Sequence, residues 1–372
     1  MELSTQKQII MNKLLIILSI SFFQANSQST DSIQIFVNKT MLQIPSEEIA
    51  ARKVSSFPPF IVKDLTFAKA LNWIDILKAY ENSENYFVRD KVYSSYLKIA
   101  SNTSDSNTRQ LLVNRVLTAF RDTLPVSNII PKYAIFEKIC KEFTTMQVSD
   151  FDTSARNKII SIVQKRQYLG KNIFLIIGWL NLKQATPLLK AIFKSSENNV
   201  RVDGLDNEKR NYEIQMALAR MGEEESVKYI CSYFEKLRDK YDDYFTLNDL
   251  INDKNLSYIK RPEILTFLTS FLDRKESVLG GSSGEQIDMP RYIACNALGL
   301  LEIYYPDLEK WLIVNNYFDK SIYQASLDYN KKNNFNSPPL KVRSCEITTY
   351  NAAQNWILQN KNNYKFNVSS FY

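Results

Sequence analysis

The residues best suited to recognise another molecule are two tyrosines and two lysines near the middle of the chain. Tyr229, Tyr233, Lys236 and Lys240 recur at helical spacing, so on a helix they form one stripe. This stripe lies about 100° around the helix from its apolar positions. Aromatic rings beside positive charges suit an acidic peptide or a sugar. We predict a partner-binding site here; the alternative is a half-buried tyrosine edge between helices, with the lysines in water.

Two acidic clusters have the residue type that glycosidases use as paired carboxylates. They are Glu223–Glu225 and Asp242–Asp243. The first cluster falls in the predicted first turn of a helix, where negative charge is stabilised by the helix dipole. That structural role is sufficient, so we assign no catalytic residues.

The chain contains no histidine, which excludes Ser-His-Asp and Cys-His pairs and the HExxH zinc site. The four cysteines are scattered with no CxxC pair, so we expect no metal site and no cofactor. They are Cys140, Cys231, Cys295 and Cys345. One disulfide is an open alternative in an oxidising compartment, but buried thiols on helix faces are favoured.

The segment from Lys275 to Pro290 holds three of the eight glycines, within Gly280–Gly284. It matches neither GxGxxG nor the Walker pattern, because no lysine follows the glycines before a helix. Ser282 is a conceivable nucleophile, but nothing in the sequence places a base beside it. The segment is therefore interpreted as a flexible insertion.

Composition favours helix packed on helix. Eight glycines in 372 residues are roughly a third of the average usage near 7%, so few positive-φ turns are available. The formal net charge is +7, but the basic residues are spread along the whole chain. A basic patch of the kind that binds nucleic acid is not predicted.

The first 27 residues have the pattern of a secretory signal peptide. Met11–Lys13 is a short positive start, and Leu14–Phe23 is an apolar run too short to span a bilayer. Ala25 and Ser27 supply the small residues that precede cleavage, so the mature chain is expected to begin at Gln28. No cysteine stands at this point and no later segment is apolar enough to span a membrane. The sequence thus predicts a soluble protein of the periplasm or the extracellular space, without a lipid anchor.

Residues 28–66 are predicted to be irregular, with one short strand where Ile33, Ile35 and Val37 alternate with polar residues and a brief helix from Ser46 to Lys53. Residues 67–330 have helical periodicity nearly throughout, and 331–372 are predicted to be a linker and a capping helix. The predicted helices are 67–80, 86–100, 107–122, 131–143, 152–165, 171–181, 184–195, 207–221, 224–240, 244–259, 262–273, 288–302, 306–315, 318–330 and 346–360.

The helical region contains a degenerate internal repeat. Short breaks fall near Asp105, Gln147, Lys183, Glu224, Arg261 and Ile303, spaced by roughly 35 to 45 residues, which is the length of a two-helix unit. Three stretches align residue by residue: Ile177–Asn181, Leu218–Gly222 and Leu298–Glu302. One column of this alignment holds small residues, Gly178, Ala219 and Gly299, where a neighbouring helix backbone could come close.

Further positions of the alignment mark helix ends. Proline stands at the predicted start of second helices, at Pro187, Pro262 and Pro306. Asn181 and Gly222 suit the left-handed residue that ends a first helix. Glu302 departs from that pattern, so the last turn is predicted to be built differently.

With these features the chain resembles HEAT-like repeat proteins of the degenerate bacterial kind. The resemblance implies an all-α fold, a right-handed solenoid of about six helical hairpins whose second helices line a concave face. It implies no activity, because such solenoids are mostly binding scaffolds. We therefore predict an exported, non-enzymatic scaffold that binds a protein or peptide partner on its concave face. The rival prediction is an all-helical α/α-toroid carbohydrate-active enzyme of the cell envelope.

Overall fold

The computed structural model of this chain is all-helical. It describes residues 30–46, 59–60, 67–120, 134–197, 207–239, 255–272, 279–280, 287–317 and 347–371, and the isolated positions 321, 324, 328 and 332. Fifteen α-helices lie in these ranges. Beside them, the two-residue strands β1 (Leu279–Gly280) and β2 (Ile287–Asp288) pair antiparallel. The all-α prediction is confirmed, whereas the predicted signal peptide and most of the Gly280–Gly284 segment lie outside the described residues.

The helices fall into two compact units that divide after Arg210. The helices that begin in the first unit are α1 Thr30–Leu42, α2 Phe67–Lys78, α3 Tyr86–Asn102, α4 Ser106–Val116, α5 Ala134–Phe143, α6 Thr153–Gln164, α7 Lys171–Trp179, α8 Thr186–Glu197 and α9 Asn207–Arg220, which crosses the division. Those of the second unit are α10 Glu224–Asp239, α11 Asn255–Ile259, α12 Pro262–Ser270, α13 Met289–Tyr304, α14 Leu308–Val314 and α15 Ile347–Gln359. Each helix from α2 to α15 overlaps a predicted one.

The strand predicted at the N-terminal end of the chain is wrong, and α1 takes its place in the segment predicted to be irregular. Helix α1 buries Ile33, Val37 and Met41, which are four residues apart, while Ile35 is 68% exposed. Ile33 and Val37 satisfy both the period of a strand and the i, i+4 spacing of a helix. Only Ile35 distinguishes a strand from a helix here, because a strand would place it on the same face as Ile33 and Val37. Its exposure to solvent favours the helix. The helix predicted from Ser46 to Lys53 lies outside the described residues, apart from Ser46.

In the first unit, helices two places apart along the chain pack side by side. Contacts join α2 to α3 and α4, α3 to α4 and α5, α4 to α6, and α5 to α7. Helices α2, α4 and α6 therefore form one layer, and α3, α5 and α7 form the other. Helices α3 and α7 are buried on nearly all of their surface.

Three buried carboxylates link helices of this unit. Glu81, Asp90 and Asp150 are 5%, 1% and 2% exposed. Each forms an ion pair with a base 34 to 48 residues away in the sequence: Glu81 with Arg115, Asp90 with Lys138, and Asp150 with Arg109. The partner is thus about one predicted repeat distant in every case.

The ends of several helices share one backbone geometry. Residues with positive φ follow α6, α7, α9, α11 and α14: Arg166, Asn181, Gly222, Lys260 and Asn316. At four of these ends the next residue donates its N–H to the carbonyl five positions back, as in a Schellman motif. The prediction of left-handed residues at Asn181 and Gly222 is confirmed. Arg166 and Lys260 occupy the same position at two other helix ends, so these ends form without glycine.

The structure confirms the predicted burial of some columns of the repeat alignment and contradicts one position of another. The apolar columns are buried in all three stretches, at Ile177, Leu218, Leu298, Leu180, Met221 and Leu301. In the small column, Gly178 and Ala219 are buried. Gly299 is wrong as a site of close helix approach, since no atom lies within 4 Å of where its Cβ would be. As predicted, the turn after Glu302 differs, because α13 continues to Tyr304.

Gly222 and Gly299 allow a matched test of the helix-end geometry. Gly222 has a φ of +102°, so Gly222→Ala should lower the free energy of unfolding by roughly 1–2 kcal/mol. Gly299 lies inside α13 with open space around it, so Gly299→Ala should raise that free energy by roughly 0.5–1 kcal/mol. Urea denaturation of both variants gives the comparison. Equal destabilisation by the two substitutions would contradict it.

Candidate functional site

The predicted stripe is only partly described by the structure. The apolar positions predicted for the buried face of α10 are Val227, Ile230, Phe234 and Leu237. The first three are buried, and the side chain of Leu237 lies outside the described residues. Tyr229 is 40% exposed on the same helix. Tyr233 is half-buried, with its ring centroid 5.3 Å from that of Tyr212. The side chain of Lys236, and the whole of Lys240, lie outside the described residues. The stripe as a binding site therefore stays a prediction, with Tyr229 its accessible part.

A groove between α12 and α15 forms a concave site in the second unit. Its volume is about 590 Å³. It is lined by Pro262, Leu265, Thr266, Thr269, Ser270, Tyr305, Gln354, Ile357, Leu358, Lys361, Asn362 and Tyr364. Leu265, Tyr305 and Ile357 are buried in it, whereas both polar and apolar residues, among them Lys361 and Leu358, are exposed at its edge. Apolar walls with a few polar groups are typical of ligand sites of this size.

The base of the groove follows from the apolar faces of its two helices. Pro262 begins α12 at the first-turn position that proline favours, as the sequence predicted. Leu265 on α12 and Ile357 on α15 are 3% and 4% exposed. Tyr305, which follows α13, fills the space between them and is 2% exposed. These three side chains give the groove an ordered apolar base.

The edge of the groove carries hydrogen-bonding groups and one charge. Thr266, Ser270, Lys361 and Asn362 are exposed there. The Tyr305 hydroxyl donates a hydrogen bond to the Lys361 carbonyl, 3.3 Å away. Burial raises the pKa of Tyr305 above its ordinary value, so this hydroxyl is a neutral donor. The groove can hold an apolar group and attract a negative one beside it.

Acid–base chemistry has no carboxylate to use in this groove, because none of its lining residues is Asp or Glu. The three buried carboxylates of the first unit are each paired with a base. Of the acidic clusters considered from the sequence, Glu224 and Glu225 lie exposed in the first turn of α10, as predicted. Asp242–Asp243 lie outside the described residues. The arrangement at the groove suits binding.

One strongly perturbed cation is Lys91 on α3, next to the Asp90–Lys138 ion pair. It is 1% exposed, and its Nζ lies 4.2 Å from the centroid of the Phe60 ring. Burial lowers the pKa of Lys91 to about 8, and it raises the pKa of Asp90. Such shifts occur at catalytic sites, but they also occur in structural ion-pair clusters. Because Lys91 is enclosed, its role here is structural.

Two of the four cysteines are described as free thiols. Cys140 is buried on α5 and Cys231 is half-buried on α10. Burial raises the pKa of Cys140 well above its ordinary value and the pKa of Cys231 to about 11. A thiol in this state is a poor nucleophile. For these two residues the interpretation as thiols on helix faces is confirmed.

Metal sites, membrane-spanning helices and similarity to known proteins were also considered as indications of function. Within the described ranges no group of histidine, cysteine and acidic side chains could hold a metal ion. None of the helices described combines the length and apolar composition needed to cross a membrane. Comparison of the chain with protein-family models, curated proteins and solved structures finds no match.

The groove could not be predicted from the sequence because the residues that line it are far apart along the chain. One wall comes from residues 262–270 and the other from residues 354–364, with Tyr305 between them. No spacing rule connects such distant segments. Helix α15 was predicted only as a cap, and the 62% exposure of Leu358 could be recognised only after the helix was placed.

Proposed function

We propose that this chain is an exported scaffold of HEAT-like helical hairpins that binds a protein or peptide partner and catalyses no reaction on it. The groove between α12 and α15 is the proposed site of contact. The Tyr229, Tyr233, Lys236 and Lys240 stripe is the second proposed contact, carried from the sequence pattern.

The solenoid part of the proposal is supported by where the hydrogen bonds between helices fall. Besides the three ion pairs, bonds join residues 38 to 47 positions apart in both units: Asn114 to Asp152, Lys158 to Asn114, Arg220 to Tyr258, and Tyr304 to Ser257. Stacked two-helix units contact their sequence neighbours in this way. The two-layer order of α2 to α7 agrees with such stacking.

The single observation that carries the binding proposal is the composition of the groove. It combines an apolar base at Leu265, Tyr305 and Ile357 with one cation, Lys361, at its edge. A partner segment with a large apolar side chain and a nearby carboxylate fits this chemistry. The rival function, a carbohydrate-active toroid, needs paired carboxylates that the groove lining lacks.

The role of the groove in partner binding is tested by filling the groove with a large side chain. Ser270 is exposed at its edge, so Ser270→Trp should occupy the volume and reduce partner capture at least tenfold. The control is Ser154→Trp, the same change at an exposed position of α6 in the other unit. The measurement is a pull-down from the periplasmic fraction of the native host, followed by titration of the identified partner. N-terminal sequencing of the same preparation should begin at Gln28 if the chain is exported.

The stripe is assigned or dismissed in the same assay. Tyr229→Ala with Tyr233→Ala should abolish capture and leave the helical circular dichroism unchanged if the stripe binds the partner. A destabilised variant that still captures the partner would remove the stripe from the proposal. Equal capture by both serine variants and the wild type would remove the groove.

A further inference from the structure

The segment that follows α15 folds back onto the second unit without forming a helix. Residues 363–371 contain no helix or strand. Two of their aromatic side chains, at Phe366 and Phe371, contact tyrosines of other elements. The ring centroid of Phe366 lies 5.1 Å from that of Tyr304 on α13, and the centroid of Phe371 lies 5.3 Å from that of Tyr258 on α11. The two phenylalanines are thus anchors five positions apart.

Arg220, at the end of α9, holds the backbone of this segment. Its guanidinium donates hydrogen bonds to the carbonyl oxygens of Val368, Ser370 and Phe371, at 3.1, 2.7 and 2.6 Å. A further bond to the Tyr258 carbonyl, 2.6 Å long, fixes the guanidinium in place. The guanidinium also lies 4.6 Å from the centroid of the Tyr258 ring. Arginine therefore contacts main-chain atoms that any peptide in this conformation would offer.

A backbone hydrogen bond also holds residues 363–371 against the second unit. The N–H of Lys365 donates to the carbonyl of Tyr304 across 2.8 Å. Main-chain bonds combined with side-chain anchors are a recurring means by which proteins bind peptides. The surface made by Arg220, Tyr258 and Tyr304 has this form, and we name it the Arg220 face.

The charge of the Arg220 face favours carbonyl groups. Among the described residues, Arg220 donates hydrogen bonds to four carbonyl oxygens, and its guanidinium also lies over the Tyr258 ring. Lys260 lies next to it, with its Nζ 5.7 Å from the Tyr304 ring centroid. Burial lowers the pKa of Lys260 to about 8, with a smaller effect from Arg220. Removing the segment would leave the half-buried Arg220 with the Tyr258 carbonyl and without its three other carbonyl acceptors.

We infer that the Arg220 face is a peptide-binding site and that residues 363–371 occupy it as an intramolecular ligand. The partner it fits is a peptide with two phenylalanines five positions apart and a turn between them, like the turn that the Ser370 N–H closes on the Asn367 carbonyl. Such a peptide displaces the chain's own segment and is held by the same bonds. This site goes beyond the proposed function, because its ligand is defined by the chain's own sequence.

The test uses a fluorescent peptide with the sequence of residues 363–372 and the full chain. In the full-length variant Phe366→Ala, Phe371→Ala the segment loses both anchors and frees the face. This variant should bind the peptide at least tenfold more tightly than the wild type, in which a tethered competitor acts at an effective concentration of the order of mM. Adding Arg220→Ala to the double variant should weaken its binding of the peptide at least tenfold. A peptide with both phenylalanines changed to alanine is the control and should not bind.

A second measurement does not depend on folding of the variant. In the wild type, saturating peptide should speed hydrogen exchange of the Lys365 amide, because displacement breaks its bond to Tyr304. The inference is overturned if Lys365 exchange is unchanged at millimolar peptide. It is also overturned if the folded double variant binds the peptide no better than the wild type does.

Discussion

Replacement of Glu81 by alanine is expected to lower the free energy of unfolding by about 3 kcal/mol or more. Glu81 lies in the turn between α2 and α3, 5% exposed. Its carboxylate accepts hydrogen bonds from two nitrogens of Arg115 on α4 and one from the Tyr96 hydroxyl on α3, at 2.8 Å. The substitution leaves an arginine and a buried hydroxyl without their shared acceptor. Urea denaturation of the purified variant measures the loss.

The Arg261–Glu263 pair is the natural control for this experiment. Its side chains are 29% and 47% exposed, and its N–O distance is 2.8 Å. Exposed pairs contribute about 0–1 kcal/mol, so Glu263→Ala should change the free energy of unfolding very little. Losses of similar size in the two variants would show that the Glu81 network does not hold α2, α3 and α4 together. Tyr96→Phe in the Glu81→Ala background separates the hydroxyl's contribution from that of the ion pair.

The second large effect is a pH-dependent gain in stability from Lys91→Met. Burial lowers the pKa of Lys91 to about 8 in the folded chain, against an ordinary value of 10.5. Below pH 8 the lysine is charged in both states, and the folded state bears the full cost of burying that charge. Methionine keeps the apolar stem over Phe60 without the charge. Below pH 8 the variant should therefore be more stable than the wild type by about 3 kcal/mol at most, since one pKa unit corresponds to about 1.4 kcal/mol.

The sign of this effect reverses the usual pattern for a paired cation. Between pH 8 and 10.5 the folded chain releases the proton of Lys91 while the unfolded chain retains it, so wild-type stability rises with pH. The advantage of Lys91→Met should shrink across this window and vanish above it. Denaturation curves at several pH values, with Lys98→Met on the exposed side of the same helix as control, measure the difference. A constant difference at all pH values would contradict the prediction.

The helices could be predicted from the sequence because their signals are local. Apolar periodicity placed α2 to α15, and the left-handed ends at Asn181 and Gly222 followed from residue type alone. The failures have equally local causes. Ile33 and Val37 fit two periods at once, so α1 was mistaken for a strand. Gly299 was aligned with buried residues although no neighbouring group lies within 4 Å of its Cβ position.

The sites could not be predicted in the same way, because they depend on contacts between distant segments. Nothing near Arg220 in the sequence indicates that it would bind carbonyls of residues 368 to 371. The polar positions of α3 show the same limit. Arg89, Asp90 and Lys91 interrupt its apolar pattern, yet all three are buried. Their partners include Lys138 on α5 and the ring of Phe60.

The pairing of each buried acid with a base 34 to 48 residues away also constrains insertions and deletions in this part of the chain. Between Glu81 and Asp150 each carboxylate has its base on one particular helix. Loss or duplication of a helix that carries one member of a pair would leave a charge unmatched inside the fold. We therefore expect whole-helix insertions and deletions to be poorly tolerated in this stretch.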